Sequence, residues 1–235
     1  QRLRALGRGL ATLHEETAGR FDRTGFLREA DDGGLAVDAD ERWSDTLLAL
    51  LARREQYLDT IGYGHLAREA ADWLRANRER FDVVDDSVLV HGNFFGEHVA
   101  VGRVGDGGDV AVGNSGDGQL GTGQGKVTAV IDFEHALAAS PEWDYLRTVL
   151  PVFGPNASHG VPERVFREGY ESVRPLPGGF DERREAYIAL NGVSYLRSLH
   201  LQRGDLDDTE TVARRARRMA NSLSGRFETL RSDDS

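Results

Sequence analysis

The chain has no cysteine, one methionine and one lysine in 235 residues. The first absence excludes disulfides, thiolate-bound zinc and thiol nucleophiles. No apolar run approaches the ~20 residues that a membrane-crossing helix needs. The amino-terminal segment lacks the apolar stretch of a signal peptide. A membrane partner is therefore not expected, and the expected location is cytoplasmic. Basic residues are also short: 29 against 39 acidic ones, a formal net charge of −10. That balance argues against a sequence-independent grip on nucleic-acid phosphates.

What is present fits a folded globular chain. Hydrophobic residues make up 39% and charged residues 29%, enough for a buried core in one large domain or two small ones. Every basic residue except Lys126 is arginine. Acidic excess with almost no lysine is the composition expected of a halophilic protein, in which carboxylates hold water and arginine makes ion pairs. A GC-rich genome, favouring arginine codons, gives the same bias.

Periodicity places the elements. Leu3, Leu6, Leu10 and Leu13 recur at helical steps. Thr17 to Asp40 reads as a polar stretch, with turn chemistry at Asp31, Asp32, Gly33 and Gly34. Trp43, Leu47, Leu51 and Leu58 predict a second helix. Tyr63, Leu66, Ala70, Trp73 and Leu74 predict a third, ending near Phe81. Strands are expected at Ser87–Val90, Val99–Val104 and Lys126–Phe133, separated by a Gly/Asp/Asn-rich stretch from Gly102 to Gly125. Ser140, Pro141 and Glu142 make a helix start, and Pro162 makes another. Asp181–Leu201 and the stripe Val212, Ala216, Met219, Leu223, Phe227 and Leu230 complete the helices. The expected class is α+β, mainly helical, with a small β element, as one domain over residues 1–235.

Polar residues worth weighing gather around that β element. His91, Gly92, Asn93 and His98 follow the first strand; Asp132, Glu134 and His135 end the strongest one. Strand ends beside loops are where α/β enzymes place reactive groups. If the strands pair, Asp132 and His98 approach each other across a cleft. The plainer reading has His91 packing against a neighbour and Asp132 capping a turn.

The run VLVHGNFFGEHVAV, then KVTAVIDFEHALAASPEWDYLR, together with the opening LGRGLATLHEET, resembles the aminoglycoside phosphotransferase family of small-molecule kinases, which share the protein-kinase-like fold. The resemblance covers most of Gln1 to Arg147, with its motifs in order. It implies a kinase-like carboxy-terminal lobe that uses ATP and Mg²⁺ to phosphorylate a hydroxyl of a small polar substrate. His91 then shapes the catalytic loop. Asn93 stands where the family has its catalytic aspartate. His98 stands where a metal-binding asparagine is usual, and Asp132 matches the metal-binding aspartate. Asp144 matches the aspartate that braces the loop from behind.

Two departures follow. An amide has no proton chemistry near neutral pH, so Asn93 is no general base. Glu97 or Glu134 substitutes only if its side chain reaches the cleft. The amino-terminal lobe, with its nucleotide-covering loop and lysine, is not recognised in the chain; a carboxy-terminal lobe or a shortened member is expected. A catalytically impaired module that binds a nucleotide or a partner is therefore the alternative. A metal-dependent hydrolase using His91, His98 and Asp132 is a third.

Other signals carry less. GNSGDGQLGTGQGK is no phosphate loop: the spacing puts Leu120 where glycine is required, and Val127 follows Lys126. The Gly-Asp spacing there is not sustained as a repeat. Arg214, Arg215, Arg217 and Arg218 read as a solvated helix face. His14, His65, His159 and His200 show no ligand spacing and receive no role.

Overall fold

The computed structural model describes residues 1–40, 42–82, 86–95, 98–103, 125–153, 160–201 and 209–233. In chain order the elements are α1 (Arg2–Thr17), β1 (Thr24–Glu29), β2 (Leu35–Asp40), α2 (Trp43–Asp59), α3 (Gly64–Ala76), a 3-10 turn (Arg78–Arg80), β3 (Val88–Val90), β4 (Val99–Arg103), β5 (Gly125–Val130), β6 (Leu137–Ala139), α4 (Pro141–Phe153), α5 (Val161–Glu171), α6 (Phe180–Leu201) and α7 (Thr209–Asp233). The class is α+β, rich in helix with small antiparallel sheets. Two compact units share the chain: Gln1–Ala39 with Asp86–Gly178, and Asp40–Asp85 with Gly179–Ser235.

The first unit carries all the β structure apart from the end of β2. Four strands form one sheet in the order β2-β1-β6-β3, and β4 pairs with β5 in a second. Leu137 and Ala138 of β6 face Phe26 and Gly25 on one side and Val90 and Leu89 on the other. The polar stretch after α1 thus contains two strands that the residue pattern does not announce. Their apolar content is modest, and pairing with β6 supplies what propensity lacks. The run Lys126–Phe133 is strand only to Val130, because Asp132 takes a left-handed φ of 68°. Val104 and residues 104–124 lie outside the described residues.

Helix α1 packs on α5 at a crossing built for it. A Cβ on Gly7 would lie 2.0 Å from the Phe166 carbonyl oxygen, and one on Gly169 would lie 2.2 Å from that of Arg4. Backbone meets backbone because neither residue has a side chain. The end of α1 is tied to the sheet by the Leu89 N–H, which donates to Thr17 Oγ1 at 3.0 Å. Leu10, Ala11, Val88, Val90, Phe94, Tyr145 and Tyr170 are buried in this unit. Ser140 precedes α4 as expected, and its hydroxyl accepts the Glu142 N–H at 3.4 Å.

The second unit is helical. Trp43 Nε1–H donates to the Tyr187 hydroxyl at 2.8 Å, Arg54 Nε–H to Ser194 Oγ at 3.4 Å, and Tyr57 meets His200 at 2.7 Å. These rungs climb both helices in step, so α2 and α6 run parallel. The open first turn of α2 is capped from a distance: Asp82 accepts both the Ser44 N–H at 2.9 Å and its hydroxyl at 3.0 Å. The expected third helix stops at Ala76, and the residues to Arg80 form the 3-10 turn. Among the described residues, no helix is long and apolar enough to cross a membrane.

Candidate active site

The loop that leaves β3 is held by α4. Asp144, fully buried, accepts the His91 N–H at 2.7 Å on one oxygen and the Gly92 N–H at 2.8 Å on the other. Arg147, one turn on, donates from Nε to the Gly92 carbonyl, and its guanidinium lies 5.9 Å from the Trp143 ring centre. Two charged side chains of one helix thus grip successive peptide groups with charge-assisted bonds. Gly92 is required here. Its φ is +74°, and a Cβ would lie 2.5 Å from the His135 carbonyl oxygen.

A second layer stands behind Asp144. His14 Nε2 lies 3.2 Å from Asp144 Oδ2, and His14 Nδ1 lies 2.8 Å from the Tyr170 hydroxyl. All three side chains are buried. The carboxylate only accepts, so Nε2–H donates to it. Burial pushes the Tyr170 phenol upward, which keeps it a neutral donor. Burial also pushes the Asp144 carboxyl upward, but the bonds from His14, His91 and Gly92 outweigh it and hold the group below its ordinary range.

On the open side, three expected residues meet. His91 is a strut: its Nδ1 accepts the Asn93 N–H at 3.1 Å, and Nε2–H donates to the Ile131 carbonyl at 2.8 Å. Its ring packs edge-on to Phe133 at 4.6 Å. The Asn93 carbonyl accepts the Phe95 N–H at 2.9 Å and His98 Nδ1–H at 3.0 Å. The Asn93 side-chain amide has no hydrogen-bond partner among the described residues. His98 Nε2 lies 3.3 Å from Asp132 Oδ2, with the two side chains 18% and 37% exposed. Asp132 is the one non-glycine residue described at positive φ, a strained conformation of the kind that gathers at functional sites. Exposed Ile131 and Phe133 flank it.

Other candidates fall away from this cluster or outside what is described. Glu134 is 67% exposed and pairs with His135 at 3.4 Å; Glu97 and His159 lie outside the described residues. Both ring nitrogens of His91 are engaged, and no group of three metal-ligating side chains exists among the described residues. The sequence reading missed His14, Arg147 and Tyr170. His14 follows Leu6 and Leu10 at four-residue steps, so its place on the buried face of α1 was available from spacing. No family model, no curated protein and no solved structure matches the chain, which leaves the motifs and this geometry as the ground for a functional reading.

Proposed function

We propose that the protein is an ATP-dependent small-molecule phosphotransferase of the aminoglycoside phosphotransferase type, with the first unit as its kinase-like carboxy-terminal core. One observation carries the reading: His98, bonded to the Asn93 carbonyl on the loop after β3, meets Asp132 from beyond β5, and Asp144 fastens that loop at His91 and Gly92. The Asp132 carboxylate is the oxygen donor a magnesium ion would take, with water and phosphate oxygens left to fill most of the remaining positions. When bound, Mg²⁺ and ATP supply charge neutralisation and the phosphoryl group. His98 and Asp132 would hold the ion. The Asn93 amide oxygen would accept a hydrogen bond from the acceptor hydroxyl and aim it. Phosphoryl transfer is largely dissociative, so aim and charge do most of the work. The acceptor is a small polar molecule with a hydroxyl.

The second reading is a nucleotide- or partner-binding module with impaired catalysis, and Asn93 is the observation that favours it. One experiment separates the two. Asn93→Asp restores a carboxylate, and loss of a general base typically forfeits ~10²–10⁴ in rate. The phosphotransferase reading expects a rise of that order in Mg²⁺-dependent ATP turnover. Stabilisation by Mg²⁺ and ATP, ~2.7 kcal/mol at ~100 Kd, with no turnover in either form supports the binding module. No stabilisation in either form overturns both.

A further inference from the structure

We infer that Arg147 is a positioning residue for Asn93: from α4 it clamps the glycine on which the loop after β3 turns, and so fixes the place from which Asn93 acts. The role of Asn93 rests on the phosphotransferase reading; the clamp does not.

The need for a clamp comes from Gly92. It stands directly before Asn93 with a φ of +74°, and the His135 carbonyl oxygen excludes a side chain there. Glycine has more conformational freedom to lose on folding than any other residue, so this position is a free joint unless its neighbours hold it. The peptide group between Gly92 and Asn93 is held at both edges. Its carbonyl oxygen accepts the Arg147 Nε–H, and its N–H, which belongs to Asn93, donates to His91 Nδ1 at 3.1 Å. His91 is itself pinned, because its Nε2–H donates to the Ile131 carbonyl at 2.8 Å.

These two holds oppose rotation of that peptide. A turn would bring the N–H toward the guanidinium and the carbonyl toward the His91 lone pair, donor against donor and acceptor against acceptor. Asp144 does not do this work. It takes the N–H groups of His91 and Gly92 at 2.7 and 2.8 Å, and both precede the Gly92 Cα. Arg147 is the grip beyond that joint. Its side chain is buried, with the guanidinium 5.9 Å from the Trp143 ring centre, so the donor is ordered before the loop closes on it.

The test uses the full chain and reads hydrogen exchange by NMR. In the natural protein the Arg147 Nε–H should exchange slowly with solvent. Arg147→Met removes the donor. Exchange of the Asn93 amide, whose own partner is His91, should then rise about tenfold or more, the scale of a bond to a charged group, while the α4 amide of Leu146 keeps its protection. Arg147→Lys keeps a charged donor and should restore part of the Asn93 protection. In the Asn93→Asp background, Arg147→Met should lower kcat by up to about 10²-fold and leave the KM for ATP within about twofold, because misplacement acts on the aiming group and not on the nucleotide. Asn93 exchange unmoved by either substitution, or protection lost from Asn93 and Leu146 in step, overturns the inference and leaves the phosphotransferase reading standing. A fast-exchanging Nε–H in the natural protein also overturns it, whether or not the variants fold. A local rise at Asn93 with no turnover in either background upholds the clamp and overturns the phosphotransferase reading.

Discussion

Asp144 and Asp132 sit twelve residues apart and have opposite surroundings. Asp144 is buried and saturated: two backbone N–H groups and an imidazole converge on it, and a phenol stands behind the imidazole. Asp132 is more than a third exposed, has one described partner, and rests on a strained backbone. The contrast separates a carboxylate spent on structure from one with coordination capacity to spare. A saturated group cannot take a ligand without losing what it already holds. A group with one partner and a costly conformation is where binding is available.

Substitution should widen that contrast. Asp144→Ala leaves two buried peptide N–H groups and His14 without their acceptor, and should cost about 3–5 kcal/mol of unfolding free energy, read by denaturant titration. Acid should reproduce part of this loss. The folded-state pKa of Asp144 lies below its unfolded value, so its contribution is full above the ordinary carboxylate range of about 4 and disappears as pH falls through the lower, folded value. The melting-temperature gap between the natural protein and Asp144→Asn should therefore narrow toward acid. If it stays constant, the carboxylate charge is not what holds the loop. Tyr170→Phe strands His14 Nδ1 and should cost about 1–3 kcal/mol, read by the same titration. Asp132→Gly should have the smallest effect on stability. Relief of ~1–2 kcal/mol of left-handed strain is offset by glycine's ~0.5–1 kcal/mol of chain entropy. Unfolding free energy should stay within about 1 kcal/mol of the natural protein's. A large destabilisation here would make Asp132 structural after all.

Much of the helical framework was legible in residue spacing, because a buried stripe at three- and four-residue steps has few other causes. The start of α4 was legible from Ser140 and Pro141. Strands β1, β2 and β6 were not: each is short or weakly apolar, and each exists through its neighbours. The approach of His98 to Asp132 was readable, since both close strands or loops of the same small β element. Its support was harder to see. Asp144 and Arg147 work by gripping peptide groups, and a peptide group looks alike at every position in a sequence. The His14–Asp144 bond spans 130 residues, and no local pattern joins its ends.

The glycine crossing of α1 and α5 has a bearing on the loop that follows β3. A methyl group at Gly7 or Gly169 would occupy space already filled by a carbonyl oxygen, so either substitution would force the two helices apart. His14 sits about two turns along α1 from Gly7, and its reach is locked with that spacing. The depth at which His14 meets Asp144, and with it the footing of the His91–Gly92 loop, is thus set by two missing methyl groups a helix away.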